Sequence, residues 1–265
     1  MNKSELINKS FVGVVTHISS DTKLESLEQY INTNKEIFDN YKGIIVAANY
    51  AFDALIERHH AVWLKYYDDV KFIDLDKNRG HSFGTLDLDG AVFDYCKEND
   101  IEWLFKVNDD QLYTPEFLLE EELPEADFYY WNGIGVGGME KYEYDNDRMI
   151  AEDFYPQTTQ YFINVSKTDL LHTKSVVDEA YEYTQKMENY NGKVWEVIEG
   201  FTCEDFLKST VNRNKLIKHH MTKPDTYIRL LNFIKANHVA DCSHKQLIID
   251  GTVHLQWPDQ KCIII

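Results

Sequence analysis

The sequence predicts an α/β protein built on a mostly parallel sheet with helices on both faces. Continuous apolar runs recur along the first part of the chain, at Phe11–His17, Gly43–Ala48 and Val70–Leu75. Strands buried on both faces have this composition, whereas half-exposed strands alternate between apolar and polar residues. Stretches with helical spacing separate the runs, at about 23–38, 52–65 and 85–98. This alternation of strand and helix is typical of a parallel sheet.

Further strands are expected at Ala126–Trp131 and Thr158–Val165, with a glycine-rich loop at 133–138 between them and a long helix at about 167–187 after them. The length of 265 residues suits one α/β domain with a small appendage. We expect the domain to span residues 1–221 and the appendage, residues 222–265, to pack on it.

The appendage itself is predicted as a helix followed by a hairpin. The helix is expected at Asp225–Ala236, and the hairpin is expected to turn at Asp250-Gly251 between strands at 246–250 and 252–257. Acceptor binding and formation of a homo-oligomer are its candidate roles.

Charge, cysteine usage and hydropathy disfavour several classes of protein without excluding a polyanionic acceptor. The formal net charge of −18 repels nucleic acid and anionic membranes. No apolar run approaches the roughly 18 residues that a membrane-spanning helix needs, and the polar residues 1–10 lack the core of a signal peptide. The cysteines show no paired spacing, which argues against a zinc site and for a reducing, cytoplasmic location: they are Cys96, Cys203, Cys242 and Cys262.

An acidic turn follows the next predicted strand, Ile101–Val107. The turn is Asn108-Asp109-Asp110, with Pro115 shortly after it. At the carboxyl end of a parallel strand these oxygens would lie where ligands bind in open α/β sheets. Adjacent carboxylates favour a cation, and oxygen ligands suit Mg²⁺ or Mn²⁺ bound to a substrate phosphate. The alternative is a solvated turn whose charges favour a helix dipole.

Two other segments have candidate roles. The turn Asn78-Arg79-Gly80 precedes a helix, and Arg79 offers a forked contact for a diphosphate, although neither a P-loop nor a dinucleotide fingerprint is present. The pair Glu204-Asp205 follows Gly200 near a predicted helix start, where a carboxylate can act as a general base. An ordinary strand-to-helix turn and an ordinary helix start are the alternatives.

The order of these motifs resembles the GT-A glycosyltransferases, especially the large inverting family related to bacterial polysaccharide synthases. The resemblance covers about residues 11–220. It rests on a strand ending in Thr16-His17, a strand ending at Asn49, the Asn78-x-Gly80 turn, and an acidic triplet some 30 residues later.

The resemblance implies a metal-dependent, inverting transfer of a sugar from a nucleoside-diphosphate sugar to an acceptor hydroxyl. The acidic triplet then corresponds to the DxD motif, with Asp110 as the main ligand of Mn²⁺ or Mg²⁺ and Asp109 as its helper. Asn108 departs from the usual aspartate. His219 or His220 would complete the metal shell, as a C-terminal histidine does in several such enzymes.

The resemblance also implies the remaining roles. Asp205 would act as the general base, with Glu204 in an orienting role. Eight residues would contact the nucleotide sugar: Thr16, His17, Asn49, Asn78, Arg79, Gly80, Asn108 and Asp109.

Two other functions stay open. A sugar nucleotidyltransferase would carry a glycine-rich loop with Arg and Lys after the first strand, and Thr16–Ser20 has neither. A non-catalytic module that binds a nucleotide or a glycan would use the same sheet edge. The acceptor is also open among a glycan, a protein side chain and a hydroxymethylated base in phage DNA.

Overall fold

The computed structural model describes residues 1–123, 125–130 and 160–170, with short pieces at 143–144, 147–148, 178, 234–235, 239–241 and 252–254. The backbone alone is described at residues 80–83, 116, 128, 130 and 169–170, and in the short pieces other than residue 178. The helices are α1 (Lys3–Lys9), α2 (Asp21–Phe38), α3 (Ile56–Leu64) and α4 (Gly80–Glu98), and 3-10 turns lie at Asp53–Leu55 and Pro115–Leu118.

The strands are short and numerous. They are β1 (Ser10–Ile18), β2 (Ile44–Tyr50), β3 (Val70–Leu75), β4 (Trp103–Asn108), β5 (Gln111–Tyr113), β6 (Phe128–Tyr130), β7 (Glu143–Tyr144), β8 (Asp147–Arg148), β9 (Gln160–Asn164), β10 (Asp169–Leu170), β11 (Ile234–Lys235), β12 (Val239–Asp241) and β13 (Thr252–His254).

A seven-stranded sheet organises the described residues, in the order β12-β6-β9-β4-β1-β2-β3. The pairs β1–β2, β2–β3 and β1–β4 are parallel. Strand β9 runs antiparallel to both of its neighbours, β4 and β6, and β12 is parallel to β6. The predicted α/β class with a mostly parallel sheet is therefore confirmed.

Helices cover both faces of this sheet. On one face, Leu27 and Ile31 of α2 and Trp63 of α3 share a core with Val14 and Phe105. On the other face, the α4 residues Leu88, Val92, Phe93 and Cys96 pack with Leu104 and Ile163. The apolar strand runs seen in the sequence follow from this double coverage.

Close packing between α4 and the central strand explains Gly13. A Cβ atom at Gly13 would lie 2.7 Å from Val92 Cγ1 and 2.8 Å from Leu104 Cδ1. Such distances are shorter than van der Waals contact, so a side chain there would force Val92 or Leu104 to shift. Gly13 thus allows the Val92 side chain of α4 to pack directly on β1.

The described residues after 165 correct two predictions. Residues 169–170, expected in a helix, form β10, which pairs antiparallel with β11. Strand β11, Ile234–Lys235, also replaces the end of the predicted helix at 225–236. Strand β13 lies within the predicted strand 252–257 and pairs with β5, whereas its predicted hairpin partner, 246–250, lies outside the described residues. Local periodicity does not encode the partner of a strand, which depends on tertiary packing.

Strand β12, at the edge of the main sheet, comes from the predicted appendage. The boundary at residue 221 itself stays a prediction. Among the helices of the described residues, none is long and apolar enough to cross a membrane.

Candidate functional site

The site lies at the carboxyl edge of the sheet, where the order in which the chain adds strands reverses. From β1 the chain proceeds to β2 and β3 on one side, and it then returns to place β4 on the other side of β1. Val15 of β1 is paired with Asn108 at the end of β4, so the two carboxyl ends lie together. In open α/β sheets, ligands bind in the crevice outside such a switch point. The acidic turn 108–110 lies at this position.

Asp109 forms the polar centre of the switch point. Its Oδ2 lies 2.6 Å from Nζ of Lys23 and accepts a hydrogen bond from the hydroxyl of Thr16. Lys23 stands in the first turn of α2, where its backbone N–H donates to the capping Ser20 Oγ at 3.2 Å. Three elements, β1, α2 and the turn after β4, therefore converge on one carboxylate.

The charge state of Lys23 follows from its surroundings. Burial lowers the pKa of Lys23, but the carboxylates of Asp109 and Asp110 together raise it by more, so the pKa lies above the ordinary 10.5. The side chain is 25% exposed, against 11% for Asp109. Lys23 thus presents a positive charge that solvent and solutes can reach.

Asn108 is fixed from beneath by a buried ion pair. Its Oδ1 accepts a hydrogen bond from Lys106 Nζ at 2.7 Å, and the same ammonium lies 3.0 Å from Asp89 Oδ1 on α4. The Lys106 and Asp89 side chains are both completely buried. Burial lowers the pKa of Lys106, although Asp89 opposes the shift, and burial raises the pKa of Asp89 to about 6, which Lys106 opposes.

Asp110 is tied to the following strand. Its Oδ1 accepts from Gln111 Nε2 at 2.9 Å, and Gln111 is fully buried in β5. Asn34 of α2 holds that strand: its Nδ2 donates to Gln111 O, and its Oδ1 accepts from the Tyr113 N–H, both at 2.9 Å. The acidic turn is therefore clamped between the sheet and α2.

A second polar group lies beside the first, at the ends of β1, β2 and β3. Nδ1 of His17 donates to Asn49 Oδ1 at 2.6 Å, and Asn78 Nδ2 lies 3.3 Å from the same ring nitrogen. The register pairs His17 with Asn49 directly. A Cβ atom at Gly84 would lie 3.1 Å from Asn49 Nδ2, so the glycine allows α4 to approach these side chains closely.

Arg79 faces protein carboxylates. Its Nε donates to Asp87 Oδ2 at 2.7 Å, another guanidinium nitrogen donates to Asp87 Oδ1, and NH1 lies 2.7 Å from Asp178 Oδ1. Its predicted contact with a diphosphate would require exchange of these partners. Gly80, the other predicted residue of this turn, begins α4.

The contacts of the acidic turn do not favour a divalent metal. One side-chain oxygen of each of its residues already accepts from a protein donor: Asn108 Oδ1 from Lys106, Asp109 Oδ2 from Lys23 and Thr16, and Asp110 Oδ1 from Gln111. An ammonium beside Asp109 supplies the positive charge that the carboxylate pair requires. The residues present here therefore fit a protein cation better than a metal ion.

A separate group with metal-ligand chemistry lies on α3 and β3, namely His59, His60 and Asp74. Trp63 Nε1 donates to His59 Nε2 at 3.2 Å, so Nδ1 carries the proton and lies 2.8 Å from the Tyr50 hydroxyl. Tyr50 in turn donates to Asp74, whose Oδ1 is 3.1 Å from His60 Nε2. Both nitrogens of His59 are therefore engaged in a hydrogen-bond chain.

Several predicted residues lie outside the described part of the chain: the pair Glu204 and Asp205, the histidines His219 and His220, and the loop 133–138. Their roles stay predictions. Sequence reasoning missed Lys23 and the His59 group. A lysine in the first turn of a helix is ordinarily a surface residue. The one sign of a role in the sequence was that Lys23 lies shortly after the first strand.

Comparison with known proteins gives a distant structural likeness. No family model matches the chain, and no curated protein matches it. Among solved structures, the galactosyltransferase LgtC in complex with donor and acceptor sugar analogues is 12% identical, with a TM-score of 0.41, over 87% of this chain and 72% of that chain. An active-site mutant of LgtC is 13% identical, with a TM-score of 0.43 and the same coverage. A likeness this distant assigns neither residues nor a substrate.

Proposed function

We propose that the protein is a glycosyltransferase that moves a sugar from a nucleoside-diphosphate sugar to an acceptor hydroxyl. The observation that supports this most is the meeting of Thr16, Lys23 and Asp109 at the switch point between β1 and β4. Two further residues on which the resemblance to GT-A glycosyltransferases rests, His17 and Asn49, lie at the same carboxyl edge of the sheet.

Each group at the edge suits one part of such a donor. The exposed ammonium of Lys23 suits a diphosphate, whose charge grows as the bond to the sugar breaks. The amides of Asn49 and Asn78 and the imidazole of His17 offer donors and acceptors for a nucleoside. Thr16 and His17 are adjacent at the carboxyl end of β1 and alternate between the two faces of the sheet, so a ligand that lies across the end of this strand would contact both groups.

The proposed reaction inverts the anomeric configuration. The acceptor oxygen attacks the anomeric carbon, the carbon–oxygen bond to the diphosphate breaks, and Asp205 takes the hydroxyl proton with Glu204 orienting it. Metal dependence through Asp109, Asp110 and His219 or His220 is a further prediction of the resemblance. The contacts of the acidic turn do not favour it.

The acceptor class and the setting belong to the proposal as well. A glycan or a protein side chain suits the formal net charge of −18 better than a hydroxymethylated DNA base, since the overall field repels a polyanion. A cytoplasmic location and a homo-oligomeric state are proposed from the sequence alone.

The decisive experiment is incubation with a panel of nucleotide sugars and simple sugar acceptors. Release of a free nucleoside diphosphate is expected, and NMR of the product should show the anomeric configuration inverted relative to the donor. Retention would remove the role given to Asp205. Exchange of pyrophosphate would instead identify a nucleotidyltransferase, and binding without turnover would identify a non-catalytic module.

A further inference from the structure

Among the residues that the structure describes, three cationic side chains lie at or below the carboxyl edge of the sheet, and they differ in what they can still bind. Lys106 is completely buried between Asp89 and Asn108. Arg79 is 10% exposed and engages two carboxylates. Lys23 is 25% exposed, and the ion-pair partner that the structure shows for it is Asp109. Lys23 is therefore the cation best placed to meet an incoming anion.

The ammonium of Lys23 has capacity for a second anion. It carries three N–H donors, and Asp109 Oδ2, 2.6 Å away, can use one or two of them. Thr16 donates to the same carboxylate oxygen and so fixes its orientation. A lysine held in this way needs little further ordering when a phosphate arrives, which reduces the entropic cost of binding.

The position of Lys23 also matters. Its backbone belongs to the first turn of α2, where the helix dipole favours an anion. Its side chain reaches across β1 to the turn after β4, and this is the crevice at the switch point. The positive charge thus lies at the place where a divalent metal would otherwise offset both the carboxylates and a diphosphate.

We infer that the ammonium of Lys23, held by Asp109 and Thr16, is the cation that binds the diphosphate of the donor, in the place of a divalent metal. This inference rests on the proposed use of a nucleotide sugar. Asp109 is then a positioning residue for Lys23, and donor binding does not require added metal.

Calorimetry with UDP, GDP, ADP, CDP and dTDP tests the inference, each with EDTA and with Mn²⁺. The wild-type protein should bind at least one of them equally well under both conditions. Lys23→Gln should weaken that binding roughly 10-fold to 100-fold, the usual range for a hydrogen bond to a charged group. Lys23→Arg should retain most of it. Lys35→Gln is the matched control, since Lys35 lies on the same helix in an exposed pair with Asp39 and should leave binding unchanged.

A titration with Mn²⁺ alone, followed by electron paramagnetic resonance, gives a test that needs no nucleotide. The wild-type protein should bind Mn²⁺ weakly, and Lys23→Gln should bind it more tightly because Asp109 loses its cation. Nucleotide binding by the wild type that requires Mn²⁺ would overturn the inference while leaving glycosyl transfer intact. Failure to bind any nucleoside diphosphate under either condition would overturn both.

Discussion

At the scale of single residues, His59 shows how burial fixes a protonation state. Its side chain is inaccessible to solvent, and its two ring nitrogens contact Trp63 and Tyr50. Burial, with a smaller contribution from the neighbouring His60, lowers its pKa from 6.5 to about 4. The neutral ring is the form that the hydrogen-bond chain requires.

We therefore predict a loss of stability in mild acid that depends on His59. Because the pKa is lower in the folded protein, the contribution is complete above about pH 6.5 and is lost as the pH falls towards about 4. Between pH 7.5 and pH 4.5 it amounts to about 2–3 kcal/mol of unfolding free energy. Urea unfolding of the wild type and of His59→Gln at both pH values measures the difference.

The variant should be less stable at pH 7.5 but should lose less on acidification. Carboxylates that titrate in the same range act equally in both proteins, so the comparison isolates His59. An identical pH dependence in the two proteins would show that His59 is not held neutral.

At the scale of elements, the pair Lys106–Asp89 joins the central strand β4 to α4 with no solvent at either side chain. The same ammonium supports Asn108 in the acidic turn. A buried pair contributes little when both partners are present, but removal of one leaves an uncompensated charge in the core.

Lys106→Met should therefore destabilise the protein by about 3–5 kcal/mol, since Asp89 would remain buried without its partner. The double variant Lys106→Met with Asp89→Leu should cost less than the single Lys106→Met change. Guanidinium unfolding of the wild type, both single variants and the double variant measures the coupling. Additive losses would mean that the two side chains do not depend on each other.

The elements also show what the sequence could predict. Strands β1, β2 and β4 were predictable because burial on both faces leaves long apolar runs. The edge strand β3 has no fully buried residue, and it was predicted from a shorter run that Lys71 and Asp74 interrupt. Helix α1 and strand β5 were not, since each is short and has no periodic pattern of its own. β5 forms because Asn34 binds its backbone and β13 pairs with it, and both partners are distant in sequence.

The candidate site, too, was only partly predictable from the sequence. Strand ends predict which residues reach the carboxyl edge, and the structure brings Thr16 to Asp109 and His17 to Asn49. Which side chains contact one another at this edge depends on their rotamers and on the helices that cover each face. No sequence pattern therefore predicted the contact of Lys23 with Asp109. The binding roles themselves stay predictions.

At the scale of the whole molecule, the formal net charge of −18 opposes the compact state through self-repulsion. Added salt screens this repulsion, with a Debye length that falls from about 30 Å at 0.01 M to about 8 Å at 0.15 M. We predict that the melting temperature rises by a few degrees when sodium chloride is raised across this range.

Choline chloride should give the same rise if screening is the cause, and differential scanning calorimetry can follow both salts. A fall in melting temperature would mean that attractive surface pairs, such as Lys65 with Glu28, outweigh the net repulsion.

The antiparallel direction of β9 has a consequence for how the protein can diversify. Strand β6 runs parallel to β4 and ends at the carboxyl edge with Tyr130, while β9 runs the opposite way and starts at that edge with Gln160. Both strand ends that flank residues 131–159 therefore lie on the rim that carries Thr16 and Asp109. A replacement of that segment would keep both ladders of β9 intact, so the rim could be given a new sequence while the sheet beneath it stays the same.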